Sequence, residues 1–184
     1  RSPSRGLGDV YKRQKDEKIN SIKSLNRVVS SNVYSNINYP TGDNAAFDGY
    51  AINSKDTSHI KKNSQKEFKI IGSIAAGSKP LKKKIKKFDA IEIMTGGIIP
   101  KGFDTIIPIE QINFYPNKNN KKYILINQKI KKNNHVRFAG SDFKKGEVVI
   151  KKNTIVQPNH ILAFKSLGIK PVSYTHIRAH ETDS

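Results

Sequence analysis

The sequence predicts a β-rich α+β protein. Short runs rich in valine, isoleucine and threonine, bounded by Gly, Pro, Asn or Asp, recur between residues 27 and 150, and such runs read as strands. Only the stretch around residue 160 combines apolar spacing with both a start and a stop signal for a helix. No strand–helix–strand alternation announces a doubly wound parallel sheet.

The elements follow in order. Residues 18–25 place Ile19, Ile22 and Leu25 at three-residue spacing, the pattern of the end of an amphipathic helix. Residues 27–34 alternate and hold three valines, which predicts a strand. Pro40, Gly42, Asp43 and Asn44 mark residues 38–44 as a loop. Four β-branched strands are expected at 67–75, 90–94, 104–110 and 123–126, with 117–122 as a polar hairpin connection. Residues 136–138 and 147–150 are expected as short strands around a turn from Gly140 to Gly146. Pro158 at the first helical position, apolar Ile161, Leu162, Phe164 and Leu167, and Gly168 past the last turn predict a short capped helix.

Composition narrows the function classes. With 184 residues, the chain has room for one domain or two small lobes. It has no cysteine, which removes disulfides and thiolate metal sites and is consistent with a reducing cytoplasm. No apolar run is long enough to span a bilayer, so no membrane role is expected. The net charge of +19 invites a nucleic-acid reading. Against it, the lysines fall in clusters such as Lys82-Lys-Lys-Ile-Lys-Lys87, Lys121-Lys122 and Lys151-Lys152, without interleaved aromatics to stack bases. Lys, Asn and Ile richness also matches AT-rich coding. No nucleic-acid partner is therefore expected.

Both ends differ in composition from the middle. Residues 1–14 use Arg as their main cation, while residues 15–136 hold a single Arg, Arg27. Residues 172–184 contain His176 and His180 and no Lys. Both ends resemble translated adapter sequence and are set apart from the fold as non-native tails. The H-x-x-x-H-E spacing of His176, His180 and Glu181 is accordingly not expected to be a metal site.

Two segments carry the chemistry: Asn44-Ala-Ala-Phe-Asp-Gly-Tyr-Ala51 and Ile93-Met-Thr-Gly-Gly-Ile-Ile-Pro100. Each places a polar, reactive side chain, Asp48 or Thr95, directly before glycine. The Asp48 carboxylate could hold a hard divalent cation such as Mg²⁺, or accept backbone N–H bonds in a turn, the reading favoured by local sequence alone. Gly96 and Gly97 could let N–H groups converge on an oxyanion, with the Thr95 hydroxyl as a further donor, or simply close a hairpin. Arg137 suits bidentate contact with an oxyanion, or a pairing with Asp142 that holds the turn.

Longer patterns resemble a known family. P-x-F-D-N-S-A-M-D-G-Y-A is matched by Pro40-Thr-Gly-Asp-Asn-Ala-Ala-Phe-Asp-Gly-Tyr-Ala51. R-I-M-T-G-A-P-x-P-x-G-A-D-x-V-V-x-x-E is matched by the nineteen residues from Glu92 to Glu110, and N-x-R-x-x-G-E-D-x-x-x-G by the twelve from His135 to Gly146. Ser166-Leu-Gly-Ile169 fits the closing helix. In these patterns Gly42, Ala45 and Phe47 replace Phe, Ser and Met, while His135 and Ser141 replace Asn and Glu. The chain resembles the N-terminal region of the molybdopterin molybdenumtransferase family, to which gephyrin's E domain belongs.

The resemblance implies two lobes. Residues 15–40 and 134–171 would form a small mixed α/β lobe, with residues 41–133 inserted as a β-rich lobe. By the same resemblance, the family's cofactor-binding and C-terminal domains are expected to be absent from this stretch. It further implies a cytoplasmic, homodimeric enzyme that inserts molybdenum from molybdate into adenylylated molybdopterin with Mg²⁺, giving molybdenum cofactor and AMP. A fragment of this extent is expected to be inactive. Asp48 and Thr95 would be catalytic, with Asp48 also a Mg²⁺ ligand. Arg137, Gly96, Gly97 and Asp142 would bind the anion, and Asp43, Asn44 and Glu110 would support the site. A basic nucleic-acid module and a gephyrin-like interaction scaffold are the alternatives. The enzyme reading needs Asp48, Thr95 and Arg137 on one face, whereas the alternatives are indifferent to their separation.

Overall fold

The computed structural model describes residues 16–61, 64–78 and 83–175. The first tail and the His176, His180 and Glu181 spacing lie outside the described residues. In chain order the strands are β1 (Glu17–Asn20), β2 (Val28–Val29), β3 (Val33–Tyr34), β4 (Asn44–Ala45), β5 (Gly49–Ile52), β6 (Lys66–Ile74) and β7 (Asp89–Ile93). They continue as β8 (Thr105–Pro108), β9 (Asn113–Asn117), β10 (Asn120–Ile126), β11 (Val136–Arg137), β12 (Val148–Ile150) and β13 (Pro171–Thr175). One α-helix, α1 (Pro158–Ser166), is present among the described residues. The protein is β-rich, with few helices.

The described residues fall into two compact units, one formed by the chain up to Ile37 and from Lys145 on, the other by Asn38–Lys144. The second crossing falls after Lys144 rather than after residue 133. β11 pairs with β4 and Tyr39 bridges to Phe143, so backbone hydrogen bonding draws residues 134–144 into the inserted unit.

In the first unit a three-stranded sheet runs β1-β13-β2, and β12 pairs with β3. The helix expected at 18–25 is instead β1 followed by a 3₁₀ turn over Ser21–Ser24. Its three-residue apolar spacing is not a buried stripe: Ile22 is 55% exposed and Leu25 43%, while Ser21 and Ser24 face inward. Ser21 Oγ donates to the Ile169 carbonyl at 2.7 Å, so a hydroxyl satisfies a buried acceptor where helix periodicity would have put an apolar group. The strand expected at 27–34 is broken into β2 and β3. Helix α1 forms as its signals require, with Pro158 in the first turn, a capping box between Gln157 and His160, and Phe164 fully buried. Residues 172–175, set apart above as a tail, belong to the central strand of this sheet. Val172 and Tyr174 alternate inward at 3% and 4% exposure, which foreign composition had masked.

The inserted unit is built on a six-stranded sheet of order β8-β5-β7-β6-β10-β9. β5 lies within it, antiparallel to β7 and to β8, and all four of its residues are buried. Tyr50 and Ile52 enter a cluster with Phe68, Ile107 and Ile124; Ala51 enters a second with Ile91, Ile93 and Ile106. A strand covered on both faces cannot show polar–apolar alternation, which is why its sequence reads as a continuous apolar run. β9 was not expected. Its polar residues 113–117 pair with β10 as a hairpin arm, and β10 begins at Asn120 within the expected connection. β8 is shorter than the run at 104–110, which turns into a 3₁₀ segment at Ile109.

The lysines are less isolated from aromatics than their sequence clusters suggest. Lys66 and Lys87 lie over the Phe88 ring at 4.5 and 5.0 Å, and Lys121 lies over Phe114 at 4.9 Å. No helix among the described residues is long and apolar enough to cross a membrane.

Gly49 is where β5 and β8 approach too closely for any side chain. A Cβ there would stand 2.0 Å from the Ile107 carbonyl oxygen, which is backbone and cannot rotate away. Gly49→Ala is expected to force these strands apart and destabilise the protein by about 1–3 kcal/mol or more, in the range of overpacked cores. Thermal melting of the variant checks this, and an unchanged melting temperature contradicts it.

Candidate active site

The site begins with a crossing of three loops. β4 lies between the turn after β7 and the short strand β11. On one side the Ala45 N–H donates to Gly97 O at 3.0 Å, and the Gly96 N–H donates back to Ala45 O at 2.9 Å. On the other side Val136 pairs with Ala45, Arg137 pairs with Asn44, and the Ala46 N–H donates to His135 O at 3.0 Å. Asp43 secures both neighbours: its carbonyl accepts from the Ile99 N–H at 2.9 Å, and its carboxylate accepts from the Ala139 N–H at 2.8 Å. The three sequence patterns are thereby joined through their backbones.

Asp48 and Thr95 meet at the same end of paired strands. Gly49 faces Ile93 across the antiparallel β5–β7 ladder, so the residue before β5 arrives beside the residues that follow β7. Asp48 Oδ1 accepts from the Thr95 N–H at 2.6 Å and from the Thr95 hydroxyl at 2.7 Å. The hydroxyl bond, followed by the backbone bond, holds the Asp48 carboxyl below its ordinary value. Both residues are exposed, so the carboxylate stays charged and open to solvent at neutral pH. The Asp48 carbonyl also accepts from the Ile109 N–H at 3.1 Å, and exposed Glu110 follows in that turn. Two residues into β5, the Tyr50 hydroxyl donates to Glu92 Oε1 at 3.3 Å. Burial first, then the Glu92 charge, pushes the Tyr50 pKa up to about 12, and it remains a donor.

Two expected anion contacts are occupied otherwise. The N–H groups of Thr95, Gly96 and Gly97 donate to Asp48, Ala45 and Met94, so they do not converge on an open oxyanion nest. Gly96 takes φ 79°, the left-handed conformation that lets this turn fold back on β4. The Thr95 hydroxyl hydrogen is committed to Asp48, so the hydroxyl orients the acid instead of donating to an anion. Asp142 forms an ion pair with Arg137 and also accepts from the Ser141 hydroxyl. A carboxylate there orients and neutralises the guanidinium. The Asp142 hydrogen bond, then its charge, raises the Arg137 pKa further.

The structure thus brings Asp48 and Thr95 into contact and leaves Arg137 across β4 from them. Arg137 is paired with Asn44, whose other neighbour is Ile98, so its backbone lies about 10 Å, two strand spacings, from the Thr95 loop. Asn44 is 7% exposed, and its side-chain oxygen is buried without a hydrogen-bond partner among the described residues.

A family model described as the MoeA N-terminal region (domain I and II) matches residues 5–168. The chain belongs to this family. The molybdopterin molybdenumtransferase of Haemophilus influenzae is 33% identical over 156 residues, covering 85% of this chain and 36% of that protein. Its namesake from Staphylococcus aureus strain Mu50 is 31% identical over 150 residues, 82% of this chain and 34% of its own. The crystal structure of the molybdopterin biosynthesis moeA protein from Pyrococcus horikoshii OT3 matches with a TM-score of 0.77 at 32% identity, covering 88% of this chain and 41% of that one. The chain spans about a third of the length of these curated relatives.

Three of the departures from the family patterns, Gly42, Phe47 and His135, have identifiable neighbours in the fold. A Cβ on Gly42 would meet the side chain of Ile98 at 3.4 Å, so the isoleucine fills space beside the position where the pattern has Phe. Phe47 and His135, in place of Met and Asn, touch each other: their ring centroids lie 5.0 Å apart at 86°. The sequence patterns show both substitutions but not this contact. Nothing in a linear pattern pairs positions so far apart.

Thr95→Val keeps the backbone donor to Asp48 and deletes the hydroxyl donor. The Asp48 pKa is expected to rise towards its ordinary carboxylate value, and a carboxyl-carbon NMR titration reads it. A depressed pKa favours the folded state above the unfolded value, and that contribution is lost as pH falls through the folded one. The variant should therefore show a smaller loss of stability on acidification. An unmoved titration contradicts the assigned cause.

Proposed function

We propose that the protein to which this chain belongs transfers molybdenum from molybdate to adenylylated molybdopterin, giving molybdenum cofactor and AMP. The contact between Asp48 and Thr95, 47 residues apart in sequence, is the observation that carries this reading. It sets a charged, oriented carboxylate at an exposed strand end, within a chain of the family whose curated relatives are called molybdopterin molybdenumtransferases. We place the protein in the cytoplasm as a homodimer, with Arg137 and Asp142 as a further polar element on the same unit.

The donor set suits Mg²⁺. Both hydrogen bonds fall on Asp48 Oδ1, and Oδ2 accepts none among the described residues. Mg²⁺ is held by one or two carboxylates together with waters and substrate phosphates. No group of three or more His, Cys, Asp or Glu that could hold a metal occurs among the described residues, so Asp48 would share the ion with substrate oxygens. When bound, it would supply charge neutralisation at the adenylate phosphate. Thr95 keeps the carboxylate in one orientation, so no reorganisation is needed when charge builds up. Because its pKa is depressed, Asp48 stays ionised to lower pH than an ordinary carboxylate. Arg137 has five N–H donors, and one pairing with Asp142 leaves others for an oxyanion. Molybdate is repelled by Asp48 itself, so a cation or guanidinium has to stand between them.

A nucleic-acid role would draw on the groove of about 520 Å³ lined by Lys66, Lys69, Lys86, Lys87 and Phe88. Glu67 and Asp89 line the same groove and offset its charge. That reading is therefore not preferred.

The transferase reading is tested with a chimera carrying residues 15–168 in place of the corresponding segment of the Haemophilus influenzae relative. The chimera is expected to form cofactor from adenylylated molybdopterin and molybdate. Asp48→Asn should lower turnover at least about 100-fold, the scale of losing one preorganised electrostatic group. The 184-residue chain alone should give no turnover. An inactive, folded chimera or a fully active Asp48→Asn variant would sink the reading.

A further inference from the structure

Phe47 directly precedes Asp48, yet its side chain is 52% exposed. Half of the ring is thus open to a ligand beside the charged carboxylate. The ring is nevertheless held in place. His135 lies 5.0 Å away at 86°, an edge-to-face arrangement that aromatic pairs prefer. The two are set together by the hydrogen bond from the Ala46 N–H to the His135 carbonyl, one residue before Phe47.

The backbone at His135 narrows what can stand there. Its φ is 54°, in the left-handed region that most side chains avoid. Asn, Asp and His are the non-glycine residues enriched in it. His is thus the member of that set able to bring an aromatic ring to this turn. In the family patterns the two positions hold Met and Asn, neither of which has a ring; here both have changed, to residues that touch. One substitution alone would not create the pair.

We infer that Phe47, steadied by His135, forms a stacking subsite for a flat nitrogen heterocycle of the substrate, whose phosphate would reach the Asp48 carboxylate through Mg²⁺. This rests on the proposed function and deepens it. Adenylylated molybdopterin offers two such heterocycles, pterin and adenine, and either can lie against an exposed phenyl face with its polar edge towards the carboxylate. A ring fixed in one orientation loses little conformational freedom on binding, so exposure in the free protein is offset when ligand is present.

Equilibrium binding to the 184-residue chain with Mg²⁺ tests this, using AMP, 6-carboxypterin and ribose 5-phosphate, which lacks a ring. At least one ring-bearing probe is expected to bind more tightly than ribose 5-phosphate. Phe47→Ala should weaken that probe about 5- to 150-fold, the range for losing one aromatic stacking partner, and leave ribose 5-phosphate unchanged. Phe47→Trp should retain the affinity, and His135→Asn should lower it by less than Phe47→Ala. Preference for AMP assigns the subsite to adenine, and preference for carboxypterin assigns it to the pterin. The proposal is overturned if neither ring binds better than ribose 5-phosphate, or if Phe47→Ala changes both affinities by less than twofold. Melting curves of each variant identify any loss that comes from unfolding; in that event folded Phe47→Met, apolar but without a ring, decides, since weakened ring binding upholds the subsite and unchanged binding rejects it. Binding is read on this chain and turnover on the chimera, so either conclusion can fail alone.

Discussion

Two residues of backbone hold the candidate site together. Ala45 exchanges hydrogen bonds with Gly96 and Gly97 on one side and pairs with Val136 on the other, while Asn44 bridges Ile98 and Arg137. Each bond is modest on its own, on the order of 1 kcal/mol net. Their effect is geometric: they convert three loops from distant parts of the chain into neighbouring strands. Asn44 is 7% exposed and Ala45 1%, so water cannot readily replace these bonds, and a loop that left the crossing would strand polar groups. Asp48, three residues further on, inherits its position from this crossing and from the close approach of Gly49 to β8.

From this follows a division of labour among the polar groups. Asp48 keeps its charge to lower pH because Thr95 donates to it twice, through hydroxyl and backbone. The same donors then cannot serve an oxyanion. A site built this way presents a poised carboxylate at the end of a rigid sheet, which suits cation-assisted chemistry better than direct anion capture. In the proposed function anion contacts would fall to Arg137, whose guanidinium pairs with Asp142. Exposed Phe47 and Met94, at 52% and 39%, stand immediately before Asp48 and Thr95 and give this polar centre an apolar border.

Much of the fold was legible because local rules and tertiary packing agree. β6 and β7, with their β-branched residues, begin within a residue of where the sequence puts them, and α1 carries proline, cap and glycine where helix ends require them. Legibility failed where a segment's partner decides its state. The spacing of Ile19, Ile22 and Leu25 suggests a helix, but pairing with β13 makes the first part a strand, and inward-facing serines make the rest a 3₁₀ turn. β9 is polar and becomes a strand only because β10 lies beside it. Residues 172–175 look foreign by composition, yet Val172 and Tyr174 complete a core.

The sequence by itself determined the strand-rich class, the turns, the helix ends, the family resemblance, and which side chains have the chemistry to act. It could do so because propensity, turn geometry and motif spacing are properties of neighbouring residues. Tertiary structure alone decided two distant contacts: Thr95 bonds to Asp48, and Phe47 meets His135. A hydrogen bond or ring contact between residues tens of positions apart depends on which strands lie side by side and in what register. That is settled by burial over a whole sheet, and no short stretch of chain contains it.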